Sequence, residues 1–273
     1  NVRRFPVDRR RVRALLRGLL TSRTRVLPEF LARELLTAYG IRFAPSARVT
    51  SLAEAMEAAD TVGYPVALKV ASADISHKTE VGGVAVGIGD PTHLRSAWET
   101  MQRALAEKAP HARIDGFEIE RMIIGGKEVL VGLQRDPAFG PILVFGMGGI
   151  YVEVLKDITF RLAPVRALSV RNMVASVRAF PLLLGVRGEP PSDLEALYEV
   201  IERVSQLATE NPEVLELDLN PLILERAGEG IWAVDARVVL GPSSRSAPST
   251  SARRSGTGRP RTPRPGGPRP RRR

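Results

Sequence analysis

The stretch 214–240, VLELDLNPLILERAGEGIWAVDARVVL, constrains the fold more than any other part of the chain. Glu216, Asp218 and Asn220 alternate with leucines, and a strand turns that period of two into one polar and one apolar face. The segment RAGEG then returns a second strand, GIWAVDARVVL, which predicts a hairpin. A hairpin with one apolar face needs further strands and a covering layer of helices before it is stable in water. Folding back through the turn brings Asp235 to within a residue or two of Asn220. A carboxylate and an amide oxygen on one sheet surface are hard ligands, suited to Mg2+ held jointly with phosphates. The same alternation also describes a solvated face of an antiparallel sheet, and the pattern alone does not separate the two.

The covering helices are legible from their own period. Residues 8–20 carry Val12, Leu15, Leu16 and Leu19 on one side of a basic helix. Pro28 to Tyr39 places Leu31, Leu35 and Leu36 in a stripe that Gly40 ends. Ser51 with Glu54, and Ser192 with Glu195, have capping-box spacing, opening one helix that runs towards Gly63 and another over 192–209. A further amphipathic helix is predicted over 92–108. VALKVAS (66–72) and GVAVGIG (83–89) read as strands. GFEIERMII and KEVLVGLQ, separated by Gly125–Gly126, predict a second hairpin, and GPILVFGMGG a strand entering a glycine loop before IYVEVLKDITFRLAP. Helices and hairpins alternate without repeated βαβ units, which predicts an α+β arrangement in two lobes and not a doubly wound sheet.

Charge divides the chain into three parts. The 273 residues carry 40 Lys+Arg and 30 Asp+Glu, a formal charge of +10, but the excess sits at the ends. Residues 1–25 hold nine arginines against Asp8 alone, and residues 241–273 hold ten arginines and no acid. The body, 26–240, is left with 21 basic and 29 acidic groups. The Arg/Pro/Gly/Ser-rich tail over 241–273 has almost nothing apolar to bury and is expected to be disordered. It has no aromatic residue to stack on a base, so nucleic acid is not an expected partner. Zero cysteines exclude disulfides and thiolate metal sites and fit a cytoplasmic location. No apolar run reaches membrane-spanning length, so no membrane partner is expected. The chain begins at Asn1 and not at Met, which fits a fragment of something longer.

Single residues carry the remaining chemistry. Lys69 lies inside an otherwise apolar strand, so its ammonium must emerge at a strand end, pair with a carboxylate or meet a bound anion. VGGV at 81–84 and GMGG at 146–149 permit close backbone approach, and turned-in N–H groups can cradle phosphate oxygens, but neither fits a Walker or dinucleotide motif. His77 has a nitrogen nucleophile able to accept a phosphoryl group, with Lys78 beside it to neutralise charge. A histidine in a polar loop is more often simply solvated. His93 and His111 have no neighbouring constellation.

The order of these pieces is more specific than any one of them. GYPVALKVASADISHKTEVGGVAVGI, GKEVLVGLQRDPAFGPILVFGMGGIYVEVLKDITFRLAPV, and ELDLNPLIL followed by AVDARVVL resemble the ATP-grasp domain of ADP-forming acyl-CoA synthetases. These are the acetate–CoA ligases related to succinyl-CoA synthetase, and the resemblance covers about residues 8–240. It implies an ATP-grasp fold, two α+β lobes clasping ATP, with lobes at about 44–119 and 120–240 after a basic linker and helix in 1–25. It implies a ligase that interconverts acid, CoA and ATP with acyl-CoA, ADP and phosphate through an acyl phosphate and phosphohistidines. Position by position, Lys69 matches the lysine on the ATP phosphates. Glu120, Arg121, Met122 and Ile123 match the hinge whose backbone reads adenine, with Glu128 nearby on the returning strand. Asn220 and Asp235 match the Mg2+ ligands, Asp218 is an acidic neighbour in the same motif, and His77 matches the histidine that exchanges phosphate with ATP and ADP. Glu80 stands where aspartate is frequent. The CoA-binding domain and the domain with the other phosphohistidine have no counterpart in the sequence. A partner domain or subunit is therefore expected to supply them, with a carboxylic acid and CoA as substrates of the full enzyme. Similar modules also occur fused to acetyltransferase domains, where a non-catalytic synthetase-like part senses a ligand, and that is the alternative role.

Overall fold

In the computed structural model the described residues are 2–20, 25–72, 74–75, 77–149, 156–186 and 188–241. The expected disorder of the tail falls on 242–273 and, like the glycine-loop continuation at 150–155, lies outside them. Helices α1 (Arg9–Leu20) and α2 (Glu29–Ala38) precede β1 (Ser46–Val49), α3 (Leu52–Val62), β2 (Val66–Ala71), β3 (Val84–Ile88), α4 (Pro91–Lys108) and β4 (Gly116–Arg121). The second half holds β5 (Lys127–Asp136), β6 (Gly140–Met147), β7 (Ile158–Leu162), α5 (Ala167–Ala175) and a 3-10 turn over Phe180–Leu184. It ends with α6 (Leu194–Glu210), β8 (Val214–Leu224), β9 (Ile231–Ala233) and β10 (Ala236–Leu240). Among the described residues no helix is long and apolar enough to cross a membrane.

Two sheets form, in the orders β1-β4-β2-β3 and β10-β8-β5-β6-β7, with β9 pairing β8 beside β10. Every pairing between these strands is antiparallel, as an α+β architecture without βαβ units requires. In the first lobe Leu68, Val70 and Ile119 pack with Ala55 and Ala59 of α3 and Leu94 and Met101 of α4. In the second, Val131, Phe145 and Leu219 pack with Leu197, Ile201 and Val204 of α6. Leu35 and Leu36 join that second core, so α2 belongs by packing to the lobe that follows it much later in the chain.

The predicted hairpin around Gly125–Gly126 does not form. β4 pairs β1 and β2, whereas β5 pairs β6 and β8, so the two strands lie in different sheets. Each strand has its own apolar face to cover: Phe117 and Ile119 in the first core, Val129, Val131 and Leu133 in the second. Burial of that size outweighs the local turn preference of two glycines. Residues 122–126 become the link between the lobes.

One cap also differs from its expected place. The Ser51 hydroxyl accepts from the Glu54 N–H at 3.2 Å, as predicted. At α6 it is Asp193, and not Ser192, that accepts from the helix, from Ala196 N–H at 3.1 Å. The other oxygen of Asp193 accepts from Gly228 and Gly230 N–H at 3.0 Å each. A carboxylate can serve the helix and the β8–β9 turn together, which a serine hydroxyl cannot, and Ser192 is taken up in a bridge to Arg226.

Candidate functional site

β2 turns Val66, Leu68 and Val70 towards the helices, which leaves Lys69 on the opposite face with Glu118 and Glu120 of β4. The register sets Lys69 against Glu118, but Lys69 Nζ reaches diagonally to Glu120 Oε1 at 2.8 Å. Arg33 of α2 holds the other oxygen of Glu120 at 2.8 Å, donates to Ser46 Oγ at 2.7 Å and lies 3.3 Å from Glu118. Glu120 is 2% exposed, a burial that only its two cations make tolerable. Burial works against the Lys69 charge, but attraction from Glu120, then Glu29 and Glu118, outweighs it and raises the lysine's pKa. Pairing with a carboxylate, one of the options the sequence left open for Lys69, is realised. Glu120, expected at the hinge for its backbone, also serves this face through its side chain.

The facing surface belongs to the second sheet. The pairs Leu219–Ala236 and Leu222–Ala233 put Asn220 directly across from Asp235. Asp218 sits between Gly132 of β5 and Arg237 of β10. Solvent reaches Asp218 and Asp235 along the cleft, yet the surrounding protein acts on both. Burial raises the Asp218 pKa, reinforced by the charge of Asp235 and opposed by Arg237. Burial raises Asp235 too, reinforced by Glu29 and opposed by the Ala236 N–H, Lys69 and Lys78. Two mutually repelling carboxylates and an amide oxygen fit a divalent cation. Among the described residues no group of three or more His, Cys, Asp or Glu could hold a metal unaided. The donor set therefore fits Mg2+, which keeps waters and shares phosphate oxygens, better than a cation needing an all-protein cage.

The structure does not bring His77 into this group. Its side chain is 75% exposed, with Nδ1 3.9 Å from Glu80 Oε1. It lines a cavity of about 490 Å³ with His111 and Lys108 instead. Lys78, one residue on, does reach the cleft, where its Nζ donates to Glu29 Oε2 at 2.8 Å. The loop closes through Gly83 N–H to Lys78 C=O and Val70 N–H to Gly83 C=O. A Cβ on Gly83 would stand 2.5 Å from Val70 Cγ1, so this glycine seats the loop flush on the lysine strand.

In the link between the lobes, Arg121 N–H donates to Pro45 C=O and Met122 N–H to Pro65 C=O. Ile123, like Ile124 and Gly125 after it, has no hydrogen-bond partner among the described residues, so backbone groups are to spare in this part of the link. Glu128 is exposed at the start of β5, and Gly148 packs on it so tightly that a Cβ would meet Glu128 Cβ at 2.7 Å. Both glycine pairs thus have packing reasons of their own. A cavity of about 780 Å³ lies elsewhere, between α1 and the end of α6, lined by Arg9, Tyr39 and Glu210.

Sequence reasoning missed Arg33 and Glu29. Their spacing of four on α2 puts them on one helix side, but acid before base in a helix is an ordinary surface pattern. Only the tertiary placement of α2 against β4 and the His77 loop gives them meaning.

Comparison with known proteins adds the following. A family model described as an ATP-grasp domain matches residues 18–240. The ADP-forming acetate–CoA ligase I of Archaeoglobus fulgidus is 44% identical over 236 residues, 86% of this chain and 34% of that protein. The chain therefore spans about a third of that ligase's length. The beta subunit of the ADP-forming acetate–CoA ligase II of Pyrococcus furiosus is 37% identical over 227 residues, 83% of this chain and 96% of the subunit. Among solved structures, the dinucleotide-forming acetyl-coenzyme A synthetase 1 of Ca. Korarchaeum cryptofilum superposes with a TM-score of 0.72 at 33% identity, covering 84% of this chain and 100% of that one. That structure is a complex with coenzyme A and Mg-AMPPCP in which a phosphohistidine segment points towards the nucleotide binding site.

Proposed function

The chain belongs to the ATP-grasp family, as the beta-subunit-like part of an ADP-forming acetyl-CoA synthetase, and from that premise we propose that it binds ATP between its lobes and passes the γ-phosphoryl group to His77. The observation that carries this reading is that α2, packed in the second core, grips Glu120 beside Lys69 through Arg33, so the lysine face of the first sheet lies near enough to Asp235 of the second to temper the rise that burial imposes on the Asp235 pKa. Phosphoryl transfer asks a protein mainly for positioning and charge stabilisation, and these side chains supply both signs of charge. Lys69, kept charged by Glu120, is aimed at the phosphates. Asn220 and Asp235, with Asp218 beside them, would hold Mg2+, whose chemistry when bound is to neutralise phosphate charge. Ile123 offers backbone groups to the adenine edge, flanked by Glu120, Arg121 and Met122, with Glu128 close to the link.

An imidazole nitrogen of His77 forms the new P–N bond as the bond from phosphorus to the β,γ-bridging oxygen breaks. ADP leaves with that electron pair, and the imidazole releases its N–H proton to water. Running in reverse, phosphohistidine regenerates ATP from ADP. His77 faces outward in this structure, so its loop must swing to reach the cleft. The phosphohistidine segment of the Korarchaeum enzyme, pointing towards a nucleotide site, supports that motion. The overall reaction we assign is acid, CoA and ATP to acyl-CoA, ADP and phosphate. A partner domain or subunit provides CoA binding and the second phosphohistidine, in keeping with the chain's third of the Archaeoglobus ligase and its near-complete match to a Pyrococcus beta subunit.

Incubation with γ-labelled ATP and Mg2+ tests the reading. Acid-labile phosphate should appear on the protein and vanish in His77→Ala. Label that persists in His77→Ala overturns the nucleophile. Binding of Mg-AMPPCP without any labelling of the wild type points to the ligand-sensing role instead.

A further inference from the structure

Four charged side chains from separate stretches of the chain converge where the lobes meet: Lys69 on β2, Lys78 in the His77 loop, and Glu29 and Arg33 on α2. Glu29 is the first residue of its helix, where unpaired N–H groups and the helix dipole favour a carboxylate. Its Oε2 lies 2.8 Å from Lys78 Nζ, and the two side chains are 29% and 27% exposed. Burial pushes the Glu29 pKa up, but Lys78, then Lys69 and Arg33, outweigh it and hold it below the ordinary value. Glu29 is also among the charges that raise Lys69 and Asp235. Its helix is packed into the second core while its carboxylate meets Lys78 from the first lobe, so Glu29 lies between the two. Nucleotide phosphates drawn to Lys69 would bring the same sign of charge to the same place.

We propose that Glu29 competes with nucleotide phosphates for the cleft cations, and that its pairing with Lys78 fastens the His77 loop to α2 until phosphates displace it. The inference rests on the nucleotide reading above. It gives the outward position of His77 a cause, because the residue next to it is tethered by an ion pair. It also links arrival of the phosphate donor to release of the acceptor loop, since phosphates drawn to Lys69 would part Glu29 from Lys78.

Two measurements on the full chain test it. By calorimetry with Mg-AMPPCP, Glu29→Gln should bind about threefold or more tightly than wild type, the size expected for removing one partly exposed like charge. In limited trypsin digestion without nucleotide, Glu29→Gln should be cut after Lys78 about threefold or more faster, because the ion pair no longer withholds that side chain. Lys69→Met is the reference for the underlying reading. If it leaves AMPPCP affinity unchanged, the nucleotide site itself is misplaced. If Lys69→Met weakens binding while Glu29→Gln weakens it too or leaves it unchanged, the competition alone is overturned. Unchanged cleavage after Lys78 overturns the tether.

Discussion

Lys69 and Glu120 meet on a diagonal: their strands set Lys69 opposite Glu118, yet its Nζ lies 2.8 Å from Glu120 Oε1. Arg33 holds the second oxygen of Glu120. The lysine is thereby kept charged and held in place without any ligand, which is the preorganisation its proposed phosphate contact would require.

Lys69→Met should weaken Mg-AMPPCP binding about tenfold or more, because a charge-assisted contact to phosphate is lost. It should also cost about 1–3 kcal/mol of stability, since Glu120 stays buried with Arg33 as its remaining cation. Adding Glu120→Gln should restore most of the stability and none of the binding. Calorimetry and urea denaturation of the single and double variants separate the two effects.

Asp235→Asn removes one carboxylate of the proposed Mg2+ pair. The Mg2+ concentration needed to support nucleotide binding should rise about tenfold or more. Without metal the variant should be at least as stable as wild type, because repulsion with Asp218 is relieved. A magnesium titration of AMPPCP affinity and a thermal melt in EDTA read these outcomes.

His77→Ala should abolish phosphate labelling while AMPPCP affinity stays within about twofold. The imidazole is 75% exposed and holds nothing together, so stability should change by less than about 0.5 kcal/mol.

Gly83→Ala places a Cβ 2.5 Å from Val70 Cγ1 and 3.0 Å from Lys78 C=O. The loop must lift from β2, at about 1–3 kcal/mol and with loss of labelling. Gly89→Ala has nothing within 4 Å of the new Cβ and should be nearly silent in the same denaturation and labelling assays.

The Glu29–Lys78 pair has a definite pH window. Glu29 has a folded pKa below the ordinary 4.5, so its stabilisation is fully present above that value and is lost as pH falls through the lower folded one. Lys78, Lys69 and Arg33 depress it against the opposing effect of burial. The stability difference between wild type and Glu29→Gln, about 0.5–1 kcal/mol for a partly exposed pair, should therefore be flat from pH 5 to 8. It should disappear in still more acidic buffer, and denaturation curves across the range check it.

How much of this could be read from the chain depends on the distance over which each signal acts. Alternation along 214–240 and the turn it brackets brought Asp235 to within a residue or two of Asn220, and the folded register makes them direct partners, because register across a short hairpin is a local property. The stripe Leu35–Leu36 located α2, and Ser51 located the cap of α3. Local signals also misled. Gly125–Gly126 looks like a hairpin turn, and only the competition between two separate cores sends β4 and β5 to different sheets. Asp193 took the cap expected of Ser192 because it also satisfies a turn some 35 residues away. Glu120, Arg33 and Glu29 form their pairs across 51, 87 and 49 residues, and no periodicity reports such contacts. The motif resemblance pointed Lys69 and His77 to their proposed roles, whereas the ion pairs around Lys69 and Lys78 had to be seen folded.

α2 has two attachments of different physical kinds. Ala32, Leu35 and Leu36 anchor it in the second lobe's apolar core. Towards the first lobe it makes electrostatic contacts: Glu29 to Lys78, Arg33 to Glu118 and Glu120, and the face of the Phe30 ring to the Arg48 guanidinium at 5.5 Å. Dissolved ions screen partly exposed charge pairs, over a Debye length of about 8 Å at physiological ionic strength, and leave apolar burial intact. The electrolyte therefore loosens one attachment and not the other. If ATP binds between the lobes as proposed, the salt around α2 sets how readily they part as well as the nucleotide does.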